Sequence, residues 1–135
     1  MGEKGLLLRW NRNEDRFVAL VSPYDGTWFG GSSLGDDLLL FGLRGNVYLG
    51  SEDTGWNRVD LGISDSINSA FSLSNQATVM VSQAGRAFLL ERHSGKSRVK
   101  EITMPTGMPL YDVTEAGGQV IFVGARGISR VRLVD

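Results

Sequence analysis

Four basic side chains stand beside glycines at turn-like positions: Lys4 before Gly5, Arg44 before Gly45, Arg86 after Gly85 and Arg126 before Gly127. Arginine outnumbers lysine 11 to 3 in the chain. Its planar fork grips carboxylates and phosphates through two parallel hydrogen bonds. Gathered on one face, these four residues would form a docking surface for a protein partner, with an acidic segment or a terminal carboxylate as the matching chemistry. Other groups point to catalysis more weakly. Glycoside hydrolysis needs two placed carboxyl groups, or a tyrosine nucleophile with an arginine cluster in the sialidase variant. Tyr24, Tyr48, Tyr111, Asp112 and Glu115 supply the residue types, but no spacing among them forms a catalytic motif, and the chain is expected not to be an enzyme. Tyr48 is expected to pack. Asp112 and Glu115 fall in an expected inner strand, where they could line a channel.

Cofactor and metal chemistry is sparse. His93 is the single histidine and cysteine is absent, which leaves no set of soft ligands for a transition metal. His93 lies in the polar run Arg92-His93-Ser94-Gly95 and is expected to face solvent. Glu52, Asp53 and the pair Asp36-Asp37 lack the spacing of a calcium loop. Gly30-Gly31 and Gly117-Gly118 precede no helix and no Lys-Ser/Thr pair, so they are not phosphate loops. No cofactor is expected. Basic and acidic residues nearly balance, 14 against 15, which argues against a dedicated nucleic-acid binder. The longest apolar runs, Leu6 to Leu8 and Leu38 to Phe41, are too short to cross a bilayer, and no membrane insertion is expected. Residues 1–10 lack the long apolar core of an export signal.

What must position the basic residues is a repeat. Leu38-Leu39-Leu40-Phe41-Gly42-Leu43-Arg44-Gly45 aligns with residues 78–85 and with residues 120–127: four mostly apolar residues, a small one, two variable ones and a glycine. The closing glycines are 40 and then 42 positions apart, and stepping back 40 from Gly45 reaches Gly5. Arg58-Val59 and Arg98-Val99 repeat the same step. A period of this length marks a stacked architecture.

Each unit reads as about four short strands, rich in β-branched and aromatic residues and separated by glycine-bearing turns. The expected strands are Leu6–Trp10 and Phe17–Val21, then Thr27–Leu34, Asp37–Leu43, Val47–Gly50 and Asn57–Leu61. Ile67–Leu73, Thr78–Gln83, Ala87–Leu90 and Arg98–Ile102 follow, and last Leu110–Glu115, Val120–Ala125 and Ile128–Leu133. Eighteen glycines against three prolines suit such a chain, and no helical periodicity extends beyond a turn or two. Four strands in roughly 40 residues is the blade of a β-propeller. The fold class is therefore all-β, a partial propeller of about three blades, with blade pieces at residues 5–22, 26–64, 66–105 and 109–135. A single sandwich or barrel is the competing architecture, but it gives no reason for glycines matched at a 40-residue step. Trp10, Trp28 and Trp56 are expected to pack between blades.

Ser51-Glu52-Asp53-Thr54-Gly55-Trp56 resembles the Asp-box, or BNR repeat, Ser-x-Asp-x-Gly-x-Thr-Trp. In such a turn a serine hydroxyl and an aspartate carboxylate satisfy backbone amides, glycine takes the left-handed position and the tryptophan packs beneath. Here Ser51, Asp53, Gly55 and Trp56 would fill a structural role. The family's tryptophan falls two positions later, at Arg58, and its threonine is replaced by Asn57. In the next unit, residues 91–95 keep only the glycine. The chain as a whole is similar to Asp-box propellers, in particular to the photosystem II stability and assembly factor-like proteins. That resemblance implies a non-catalytic scaffold holding membrane-protein assembly intermediates, in a periplasm or thylakoid lumen. Sialidases and other glycosidases also carry Asp-boxes, so a glycan-binding or glycoside-hydrolase propeller is the alternative from another class. A fragment without retained function is a third.

Two complete units, a two-strand piece before them and a three-strand piece after leave a ring open, since propellers close with about 4–8 blades. Completion by a homo-oligomer is expected. The three-strand unit would accept the Phe17–Val21 strand of a second copy, an isologous assembly of about six blades. A longer propeller chain and an open three-blade monomer are the alternatives.

Overall fold

The computed structural model describes residues 2–105 and 107–133. These form four antiparallel sheets in chain order. A two-stranded sheet comprises β1 (Leu7–Asn11) and β2 (Arg16–Leu20). A four-stranded sheet follows, of β3 (Trp28–Leu34), β4 (Asp37–Gly42), β5 (Val47–Ser51) and β6 (Gly55–Arg58). The next is β7 (Ile67–Ser74), β8 (Ala77–Ser82), β9 (Ala87–His93) and β10 (Lys96–Ile102). The last has three strands, β11 (Leu110–Ala116), β12 (Gln119–Gly124) and β13 (Gly127–Val131). Every sheet is a meander in which sequence neighbours pair. The architecture is a partial β-propeller, as the 40-residue period predicts.

The second strand of each full unit is an unbroken apolar run because both its faces are covered. Leu39, Leu40 and Phe41 of β4 are almost wholly buried, and Val79, Met80 and Val81 of β8 completely so. Alternate residues serve opposite sides of the sheet. Leu39, Phe41, Val47 and Leu49 project from the first full sheet onto Ile67, Met80, Phe88 and Leu90 of the second. Val79, Val81 and Ala87 leave the second sheet's other face to meet Leu110, Val113, Val120 and Phe122 of the last. Leu7 of β1 closes over Trp28 and Leu40, with Tyr48 and Trp56 alongside. Propeller cores are such inter-sheet layers, not one central core.

Polar bonds tie the same joints. Arg9 binds Glu52 at 2.7 Å and Arg92 binds Asp37 at 2.7 Å. The Thr78 hydroxyl donates to the Ser33 carbonyl, the Asn68 amide to the Leu110 carbonyl, and the Ser69 hydroxyl to Asp112.

The fourth strand of the first full sheet starts at Gly55, earlier than the expected Asn57. The turn that Ser51 organises is short enough for Gly55 to pair directly with Ser51. Conversely β9 runs on to His93, because Ser94 and Gly95, both at positive φ, make a two-residue hairpin turn. One tryptophan departs from expectation. Trp28 and Trp56 pack in a joint, but Trp10 points away from the neighbouring sheet, stacks edge-on against Phe17 at 5.0 Å and is 44% exposed. Alternation in β1 explains this: Leu7 takes the covered side, so Leu8 and Trp10 take the other.

Candidate functional site

The corners between second and third strands carry the basic residues. In the first full sheet the corner is Gly42 to Asn46, closed by the Gly42 amide on the Asn46 carbonyl and the Asn46 amide on the Leu43 carbonyl. The segment Gly2 to Leu6, 40 positions earlier, closes identically, with Gly2 N–H to Leu6 O and Leu6 N–H to Glu3 O. Lys4 and Arg44 occupy the same place in these corners, at φ of 55° and 59°. The glycine after each is packed so tightly that an added Cβ would lie 2.2 Å from the Tyr24 carbonyl at Gly5, or 2.6 Å from the Ile63 carbonyl at Gly45. Both glycines also hold a positive φ. The repeated glycine therefore marks where a corner abuts the backbone leading into the following sheet. Gly85 does the same against Met108.

The four basic residues fare differently. Lys4, Arg44 and Arg126 are exposed and make no ion pair with any described residue. Arg86 follows its glycine, so its place corresponds to Leu6 and Asn46, and Ala84 takes the position of Lys4 and Arg44. It forms an ion pair with Glu101 of β10 and sits 5.5 Å from the Phe88 ring centroid. The hydrogen bond to Glu101 raises the Arg86 pKa above its ordinary value, and the same bond holds the Glu101 carboxyl below its own. Arg126 lies in a shorter corner, where Gly124 pairs directly with Gly127 and a Cβ on Gly127 would meet nothing within 4 Å.

Sequence reasoning missed a second repeated feature beside these corners. The first strand of each of the three larger sheets has a bulge near its start, between Trp28 and Gly30, Ile67 and Ser69, and Leu110 and Asp112. The extra residues are Phe29, Asn68 and Tyr111. Bulges re-aim side chains and recur at strand ends near binding sites. Phe29 is 46% and Tyr111 52% exposed, whereas Asn68 reaches both the Gln83 side chain and the Leu110 carbonyl. Innermost strands begin at the end of the sheet that carries the basic corner. Aromatic side chains from Phe29 and Tyr111 thus lie at the same end as Lys4, Arg44 and Arg126. Phe29, Asn68 and Tyr111 share no side-chain type, so no residue pattern in the sequence marked these bulges.

The remaining sequence candidates are dispersed. Tyr24 and Tyr48 pack edge-on against Trp28 at 5.5 and 5.9 Å. Asp112 accepts from the Ser69 hydroxyl and from its neighbour's amide, while Glu115 is exposed. His93 is exposed and contacts Glu91 at 3.1 Å. In the Asp-box-like turn, Ser51 behaves as that motif requires: its hydroxyl accepts from the Thr54 amide at 3.0 Å and bonds the Thr54 hydroxyl. Gly55 is at φ 83° and Trp56 packs inward. Asp53 is exposed and makes no hydrogen bond to a described residue. Among the described residues no cluster of three or more acidic or histidine side chains is placed to hold a metal ion.

Antiparallel meanders of up to four strands, stacked face to face with corners repeated at a 40-residue step, define a propeller fold. A solved structure agrees: the chain is similar to the C-terminal WD40 domain of Sif2, with a TM-score of 0.67 at 12% sequence identity. The match covers the whole of this chain and 48% of that one, so the chain spans about half the length of the domain it resembles. No protein-family model and no curated protein matches the sequence.

Proposed function

We propose that the chain is a non-catalytic protein-interaction scaffold that binds an acidic segment of a partner across its basic corners. The observation carrying this is the recurrence, at one backbone position of successive corners, of an exposed cation with no ion pair to a described residue, Lys4 and Arg44. Arg126 extends the arc, and Phe29 and Tyr111 supply apolar surface beside it. Arg86 contributes less, because Glu101 already neutralises it. The WD40-type neighbour supports the reading at the level of fold. Kinship with Asp-box propellers rests on Ser51, Gly55 and Trp56, with Asp53 taking no part in the turn's bonds. The four blade pieces, 5–22, 26–64, 66–105 and 109–135, are the units of this scaffold; Val134 and Asp135 lie outside the described residues. A second copy completes its ring.

A labelled glutamate-rich peptide is the probe. Its fluorescence anisotropy should report binding that falls at least tenfold in the triple variant Lys4→Glu, Arg44→Glu, Arg126→Glu, about 1.4 kcal/mol or more. Equal affinity of the triple variant and the parent overturns the proposal.

A further inference from the structure

Two sheet faces have no neighbouring sheet among the described residues, and they are the two halves of one joint. In the first full sheet, Leu39 pairs with Leu49 and Phe41 with Val47, and all four are at most 5% exposed against the next sheet. The same register in the second sheet pairs Val79 with Leu89 and Val81 with Ala87, again covered. In the last sheet it pairs Ile121 with Arg130 and Val123 with Ile128. There Val123 is 41% and Ile128 68% exposed, and Ile121 is only partly buried. At the other end, Trp10 pairs with Phe17 on the outer side of the two-stranded sheet. Their register equivalents are Gly50 with Trp56 and Leu90 with Val99, which pack in joints. Leu8 stands where Tyr48 and Phe88 stand. Yet Leu8, Trp10 and Phe17 are 43%, 44% and 60% exposed.

We infer that the outer face of the last sheet, Ile121, Val123 and Ile128, docks onto Leu8, Trp10 and Phe17 of a second copy of this chain, head to tail. One copy supplies both halves, so the joint that already repeats inside the chain continues between chains. The chain matches 48% of a propeller domain, so two copies fill about one ring. Each joint runs head to tail, and in a two-copy ring the second joint repeats the first about a two-fold axis, so the assembly closes. The joint leaves β2 paired to β1 through all five residue pairs, which strand exchange would break. Arg130, paired with Ile121 on the same face, is exposed, and a side chain of this length can lie along a joint while its charged head stays in water.

Light scattering coupled to size exclusion tests this on the whole chain. The parent is expected at twice the chain mass. Trp10→Glu and Ile128→Glu, each on an exposed face, should be folded monomers by circular dichroism. Mixing the two variants should restore a one-to-one complex, because each retains the half the other has lost. A parent that is monomeric across the micromolar range, or variants that stay dimeric, overturns the inference. Glutamate-rich peptide binding by the monomeric variants reads the corner proposal separately.

Discussion

Lys4 and Arg44 are the same residue position built twice. Each is the left-handed member of a five-residue corner, 40 positions apart, with its glycine pressed on the chain that enters the next sheet. Neither has an acidic partner among the described residues, so each is free to meet one from outside. Neutralising either, as Lys4→Gln or Arg44→Gln, should weaken a glutamate-rich peptide by roughly 0.2–1 kcal/mol, the range for exposed pairs. The loss should shrink as salt is added. Arg86→Gln should weaken it less, because that guanidinium is already engaged. Anisotropy titrations at low and high salt make the comparison.

Gly45→Ala should destabilise the fold by about 1–3 kcal/mol from backbone strain alone, with a further cost as Ile63 is displaced. Gly127→Ala should cost less, since open space surrounds that position. Urea denaturation of the two variants, with midpoints compared at equal slope, checks the order.

The Arg92–Asp37 pair bridges two sheets at 2.7 Å with about a quarter of each side chain exposed. Its burial is partial, so its coupling should approach the upper end of the surface range, about 1 kcal/mol. A double-mutant cycle with Arg92→Ala and Asp37→Ala measures it. Additivity would show that this ion pair adds nothing to the joint.

Arg86 and Glu101 set a pH response. The hydrogen bond from Arg86 depresses the Glu101 carboxyl, so the pair contributes stability above the ordinary glutamate range. That contribution is lost as pH falls through the depressed value. Arg86 is raised by the same bond, so its side of the pair is intact at every pH below the ordinary arginine range. Carbon-detected NMR titration should place the Glu101 midpoint below that of an ordinary glutamate, and Arg86→Gln should move it up.

All thirteen strands were legible in the sequence because the repeat is written in residues that pack or turn. Leu39–Phe41 and 79–81 must be apolar to be covered on two sides, and Gly5, Gly45 and Gly85 must lack a Cβ to clear a carbonyl. Boundaries were less legible. A tight turn at Ser94-Gly95 lengthens β9, and Ser51's bonds pull the start of β6 forward, both matters of local geometry. Two features of the candidate site lay beyond pattern reading. The bulged residues Phe29, Asn68 and Tyr111 share no side-chain type, since a bulge is set by register. The capture of Arg86 by Glu101 depends on two strands lying side by side.

Each of the three larger sheets also carries its own latch. After the second strand, an amide turns back to the carbonyl just before the first: Leu43 to Thr27, Gln83 to Ser66, Ala125 to Pro109. The fastening is internal to a sheet and asks nothing of its neighbours except an apolar face. Gene duplication could therefore lengthen or shorten such an arc by one unit without rewriting the others. Hydrogen exchange should correspondingly open the sheets as separate cooperative blocks, with the amides of the middle sheet slowest.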